Sequence, residues 1–284
     1  MTSRQIKDLI RNQAKKNKID AQILLRNYML ERLLERISLS KYKWNFILKG
    51  GMLVAAMVGL DARSTIDMDA TIKGYQLNEE NLRNVFDEIL HTPVNDDINM
   101  TLLGISQIHE ESEYECFRIS LSAKVENTNI PLKIDITTGD VITPREVQYR
   151  FALMLENRSI DILAYNIETV LAEKMETIIS RGILNTRMRD FYDLHILRVL
   201  QSDNVDRSLL AEAFKATSAK RGLVFSYDNI LSELDKVLIN PEVKRLWGNY
   251  RKKFSYAADL DWNEVVVSLK NLFDAILLNS DEKK

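Results

Sequence analysis

The residues best suited to chemistry lie in Leu48-Lys49-Gly50-Gly51 and, fifteen residues further on, in Asp67-Met68-Asp69. A glycine pair between a strand and a helix lets the backbone approach a phosphate, whose charge the helix N-terminus then favours. Two carboxylates two residues apart on a strand project to one face and can grip the same pair of divalent cations. A third carboxylate, Asp135, stands in Leu132-Lys133-Ile134-Asp135-Ile136-Thr137. There Ile134 and Ile136 turn inward, and Asp135 shares the opposite face with Lys133 and Thr137. Three convergent carboxylates on adjacent strands suit two Mg²⁺ ions, or Mn²⁺, which clamp the attacking and leaving oxygens of an in-line phosphoryl displacement. In such a site Asp67 and Asp69 hold both metals. Asp135 ligates the catalytic one and helps deprotonate the incoming hydroxyl.

The elements that must position these groups follow from hydrophobic periodicity. Residues 2–38 read as helix, with a turn near Asn17–Ile19. A short apolar strand, Phe46–Leu48, leads through the glycines into a small-residue helix, Met52–Val58. Thr65–Lys73 alternates as a half-buried strand, Asn78–Leu90 is helical, and Ile98–Ile108, Tyr114–Glu126 and Ile130–Thr137 are strands. The acidic tip at 110–113 and the Asn127-Thr128-Asn129 run supply the turns between them. A weaker strand is expected over Ser159–Leu163. Beyond Asn166 the pattern is helical throughout, over about 166–181, 189–200, 206–219, 226–237, 240–254 and 262–278. The expected fold class is therefore α+β: an α/β domain over 1–160, with N-terminal helices in 1–38, and an α-helical domain over 161–284.

Gly-Gly, a helix, Asp-x-Asp and a later strand aspartate together resemble the nucleotidyltransferase signature of the polymerase-β superfamily. A narrower resemblance is to the AbiEii/AbiGii (MenT-like) toxins of bacterial toxin–antitoxin systems. It is carried by KGGMLVAAMVGLDARSTIDMD from Lys49 to Asp69, by AEKMETI with Lys174, and by RMRDFYD from Arg187 to Asp193. The family form of the last motif is Arg-x-Lys-Asp-x-x-Asp, so Arg189 replaces the usual lysine, keeping the charge but changing its geometry. The resemblance runs from about residue 45 to 200.

It implies a polymerase-β-like domain with a mixed sheet, followed by helices, and attack of a substrate hydroxyl on the α-phosphate of an NTP with release of pyrophosphate. The catalytic residues it implies are Asp67, Asp69, Asp135, Lys174 and Asp190. The nucleotide contacts are Lys49, Gly50, Gly51, Thr65, Lys174 and Arg187. Lys174 would neutralise the triphosphate and its leaving group; Asp190 would orient Arg187 or Lys174, or touch the nucleotide. The same resemblance implies RNA as partner, with the 3′ end of tRNA as acceptor, a cognate AbiEi-like antitoxin, and abortive infection against phage. In some MenT-type toxins the hydroxyl residue two before the first aspartate, here Thr65, is phosphorylated under antitoxin control.

Composition narrows the field. Hydrophobic residues make up 45% and charged residues 28%, which describes a chain with a core rather than a disordered one. A net charge of −2 means that any nucleic-acid surface must be a local patch. Two stretches qualify: Arg4, Lys7, Arg11, Lys15 and Lys18 at helical spacing, and Lys244, Arg245, Arg251, Lys252 and Lys253 around Trp247, Tyr250 and Phe254. Their plainer reading is solvated helix faces over core aromatics. The single cysteine, Cys116, and the scattered His91, His109 and His195 supply neither a disulfide nor a zinc array. No Gly-x-Ser-x-Gly or Cys–His grouping points to covalent catalysis. With no signal-peptide core in the first residues and no long apolar run, a cytoplasmic protein without membrane contact is expected. Read singly, the same site residues are ordinary: strand-edge acids, a tight turn, a helix-surface lysine, first-turn acids. The alternatives are transfer to a small molecule or protein, and a nucleotide-binding module without turnover.

Overall fold

Strand patterning and helix caps account for the architecture of the computed structural model, which describes residues 1–17, 19–108, 115–223 and 226–281. Lys18, His109 and the acidic tip at 110–113 lie outside the described residues. The chain divides into two compact units, Met1–Asp140 with Glu146–Tyr165, and Val141–Arg145 with Asn166–Lys284.

In the first unit, α1 (Ser3–Asn17) is followed by α2 (Ala21–Leu39), which starts where the Asp20 carboxylate accepts the Gln22 and Ile23 amides. Then come β1 (Phe46–Lys49), α3 (Gly50–Val58), β2 (Met68–Ile72) and α4 (Glu79–Leu90). The remaining strands are β3 (Asn99–Ile108), β4 (Cys116–Val125), β5 (Thr128–Thr138), β6 (Val147–Ala152) and β7 (Ser159–Ala164). They form one seven-stranded sheet in the order β3-β4-β5-β2-β1-β7-β6. β2 runs parallel to β5 and β1 parallel to β7, and the other neighbours are antiparallel, so the sheet is mixed. α2 packs on β5 and β7, and α3 on β1 and β2. The alternating buried residues of β4 and β5, Ile119, Leu121, Ala123, Leu132, Ile134 and Ile136, line the core between sheet and helices.

Three details differ from the expectation. β2 begins at Met68 rather than Thr65, because 65–67 find no strand partner; the Asn27 side-chain amide donates to the Thr65 carbonyl instead, at 2.6 Å. β6 is an additional strand, an edge partner of β7 whose residues stay largely outside the core. A boundary at 160/161 would fall inside β7.

The second unit contains α5 (Ile167–Arg181), α6 (Met188–Gln201), α7 (Arg207–Lys220), α8 (Tyr227–Ile239), α9 (Pro241–Lys253) and α10 (Trp262–Asp281). Each start is set by a short polar residue where one is present: Asn166, Asp206, Ser226 and Asn240 accept first-turn amides of α5, α7, α8 and α9. No described helix is long and apolar enough to cross a membrane.

Candidate active site

Register brings the site of the first unit together. Lys49 on β1 is paired with Asp69 on β2, Asp69 with Asp135 on β5, and Asp135 with Arg118 on β4. Residues paired across adjacent strands share a face. The four therefore form one transverse row of a cation, two carboxylates and a second cation.

The glycine loop is shaped around Asp69. Gly50 has φ +65, and a Cβ on it would lie 2.1 Å from Asp69 Oδ2. No other residue could occupy that position without moving the carboxylate. The Gly51 amide, at the start of α3, makes a long 3.4 Å contact to the same oxygen. A Cβ on Gly51 would meet the Thr65 hydroxyl at 2.9 Å and the Arg63 guanidinium at 3.2 Å. Thr65 is only 3% exposed, and its hydroxyl donates to the Asp67 carbonyl at 3.1 Å. A phosphate on Thr65 would therefore require segment 63–67 to open.

Electrostatics mark Asp69 as the strained member. Burial raises its pKa; Lys49 and the Gly51 amide pull it down, while Asp135 and Asp67 push it up. Asp135 accepts a side-on fork from Arg118, Nε to Oδ1 at 2.8 Å and a terminal nitrogen to Oδ2 at 2.7 Å. Lys49 donates to Thr137 Oγ1 at 2.7 Å and to Asp140. Asp140 also accepts from Thr137 at 2.7 Å and from the Tyr165 hydroxyl at 2.8 Å. Burial would raise the Asp140 carboxyl, but the Lys49 charge and these hydrogen bonds hold it below the ordinary value. Among the described residues no group of three His, Cys, Asp or Glu stands ready to hold a metal ion.

The second unit gathers the remaining motif residues. Lys174 on α5 is not a surface lysine: its side chain is 12% exposed and bonds Asp190 at 3.0 Å and Asp193 at 2.7 Å, both on α6. Asp193 is fully buried, and Arg187 reaches Asp190 at 3.6 Å. Asp190 thus contacts both cations it was expected to orient. It also sits in the first turn of α6, where an acid is favoured in any case. Arg189 lies over the Phe254 ring at 5.9 Å. His195 turns to the Ser268 hydroxyl, and burial lowers its pKa.

Two aromatics of the C-terminal basic stretch, Trp247 and Tyr250, are not stacking platforms. Trp247 and Tyr250 are buried, and the Trp247 indole donates to the Leu260 carbonyl at 3.3 Å. Lys7 of the first stretch is paired with Glu126 at 2.6 Å. Sequence reasoning missed Arg118, Asp140, Tyr165 and the fully buried Arg63. Arg118 lies on the polar face of an alternating strand, but only the register of β4 on β5 shows what it meets.

A family model described as the nucleotidyl transferase AbiEii toxin of type IV toxin–antitoxin systems matches residues 32–277. No curated protein matches the chain. Among solved structures, a candidate nucleotidyltransferase from H. pylori is 16% identical, with a TM-score of 0.51 over 94% of this chain and 99% of its own. JHP933 from Helicobacter pylori is also 16% identical, with a TM-score of 0.50 over 93% of this chain and 95% of its own. At that identity both likenesses speak for the fold alone.

Proposed function

This chain belongs to the AbiEii nucleotidyltransferase toxin family of type IV toxin–antitoxin systems, and from that premise we propose that it moves a nucleoside monophosphate from an NTP to an RNA hydroxyl at the carboxylate row of its first unit. The family implies an NTP substrate, usually a divalent metal, and an antitoxin partner. The observation that carries the reading is the in-register row from Lys49 to Arg118, with Gly50 open enough to admit Asp69.

The chemistry of the donors, three carboxylates, suits a divalent cation, and they would have to close on it, because no three of them stand ready among the described residues. Asp69 lies beside Asp67 and Asp135, and both raise its pKa, a repulsion that a positive ion would relieve. Asp67 and Asp69 would hold Mg²⁺ or Mn²⁺, with Asp135 as third ligand. When bound, such ions would stabilise the charge that develops on the phosphoryl oxygens and acidify the attacking hydroxyl. Asp135 would take the proton of that hydroxyl. Lys49, fixed by Asp140 and Thr137, supplies fixed positive charge in the row. Gly50, Gly51 and Thr65 shape the loop toward the phosphates. On the family motif, Lys174, Asp190 and Arg187 are residues that activity requires.

The 3′ end of tRNA is the acceptor that fits a toxin acting on translation. Exposed Arg4 and Lys15 on α1, and Lys244 and Lys252 on α9, support an RNA substrate, because surface cations can follow a phosphate backbone. Growth arrest, released by the antitoxin and engaged during phage infection, is the proposed outcome in the cell. Incubating the protein with α-labelled NTPs and separate pools of tRNA, protein and small molecules tests the acceptor. Label is expected on tRNA, and to be blocked when the 3′ ends are first oxidised. Label confined to protein or small molecules would overturn the RNA acceptor.

A further inference from the structure

The two cations that end the carboxylate row differ in their commitments. Lys49 is held by Asp140 and Thr137, which lie outside the row. Arg118 spends Nε and a terminal nitrogen on Asp135 itself. A side-on fork engages both oxygens of the carboxylate, the same oxygens a divalent cation would use. The Arg118 side chain is 39% exposed, against 21% for Asp135. It can therefore swing away from the sheet without opening the core. Arg118 also feels Asp67: its pKa is raised first by the bond to Asp135, and further by the Asp135 and Asp67 charges.

We propose that Arg118 is a built-in competitor of the divalent cation, holding Asp135 in its fork until the cation displaces it. Arg118 is then a positioning residue that sets how much cation the row needs before Asp135 can serve as a ligand. Displacement frees a guanidinium at the rim of the row, suited by its planar fork to a phosphate of the nucleotide. This inference rests on the metal-dependent reading given above.

The test is a titration of the full chain with Mn²⁺ alone, followed by loss of the free-ion paramagnetic resonance signal. Removing a charge-assisted fork from a half-buried carboxylate is expected to tighten Mn²⁺ binding about tenfold in Arg118→Gln. Arg118→Lys, which keeps the charge but not the fork, falls between wild type and Arg118→Gln. Lys133→Gln removes an exposed charge two residues from Asp135 and controls for general electrostatics, with less than about a twofold effect expected. In an Asp135→Asn background the Arg118→Gln gain should vanish, since the two residues act through one contact. Circular dichroism confirms that each variant is folded. Equal or weaker Mn²⁺ binding by Arg118→Gln overturns the proposal and makes Arg118 a support for Asp135 instead. If Asp69→Asn abolishes uptake while Arg118→Gln changes nothing, the metal reading stands and this inference alone falls. If neither wild type nor Arg118→Gln takes up Mn²⁺, the metal reading fails and the inference with it.

Discussion

Two charge clusters of the first unit are built from the same residue types and balanced in opposite ways. On α2, Arg32 is buried among Glu31 at 2.8 Å, Glu35 at 2.6 Å and Glu156 at 2.9 Å, while Arg158 bonds Glu35 and Glu156, each at 2.6 Å. Every one of these carboxylates touches a guanidinium. In the sheet row, Asp69 lies between the Lys49 charge and those of Asp135 and Asp67, and its hydrogen bond is a long amide contact from the helix start. Burial raises a carboxyl in both clusters, so burial alone does not separate them. What separates them is how the charge is met: each α2 carboxylate is bonded to a guanidinium, whereas Asp69 takes an amide contact, feels the Lys49 charge first and then the like charges of Asp135 and Asp67. A cluster that is paired holds elements together, and one left with surplus like charge is suited to receiving a cation.

The comparison breaks most sharply at Asp69. Asp69→Asn should lower turnover by about a thousandfold or more while leaving the thermal midpoint unchanged or higher, because a repulsive charge has gone. Asp67→Ala is expected to lose activity on the same scale, and growth inhibition with it. Steady-state turnover paired with a melting curve checks both. A melting point that collapses along with activity would place Asp69 among the structural charges.

On α2 the opposite pattern is expected. Arg32→Ala leaves buried carboxylates without their partner and should cost about 3–5 kcal/mol of stability, with turnover per folded molecule preserved. Chemical denaturation measures the loss. An unchanged midpoint would mean that the pairs around Arg32 are dispensable.

Lys174 tests where the second unit falls. Its burial against Asp190 and Asp193 looks structural, and its motif looks functional. The functional side requires Lys174→Ala to cut turnover about a hundredfold in protein that remains folded, with partial recovery in Lys174→Arg. Loss of folded protein at unchanged specific activity would move the triad to the α2 class.

The smallest effect is a pH slope. Burial pushes the Glu31 carboxyl up to about 7 from the ordinary 4.5, against the pull of Arg32 and the Met154 amide. Between those values the folded state holds the proton more tightly than the unfolded state. Stability is therefore fully present below about 4.5 and declines as pH rises through about 7. The decline attributable to Glu31 is on the order of 3 kcal/mol, and Glu31→Gln should flatten it. An identical pH profile for Glu31→Gln and wild type would remove Glu31 as its source.

Much of this molecule is legible in its sequence because helix periodicity and caps are local. The six helices of the second unit fall where spacing and residues such as Asn166, Asp206 and Asn240 put them. The carboxylate row is only half legible. Asp67, Asp69 and Asp135 stand out by alternation and motif, but pairing is non-local. Nothing in Cys116-Phe117-Arg118-Ile119 tells that Arg118 meets Asp135, and nothing near Asp140 tells that it fixes Lys49. β6 escaped for a related reason: as an edge strand it buries little, so its alternation is weak. Trp247 and Tyr250 show the reverse case: clustered aromatics beside lysines could read as a nucleic-acid surface, and the plainer reading, core aromatics under a solvated face, is the one the burial supports.

The central claim, nucleotidyl transfer at the Asp69–Asp135 row, is tested most directly by parallel incubations with α-labelled and γ-labelled NTP, magnesium and RNA. Label from the α-position should appear on the RNA with one pyrophosphate released per transfer, γ-label should leave with the pyrophosphate, and folded Asp69→Asn should do neither. Transfer of γ-label to the acceptor, or undiminished α-label transfer by Asp69→Asn, would contradict it.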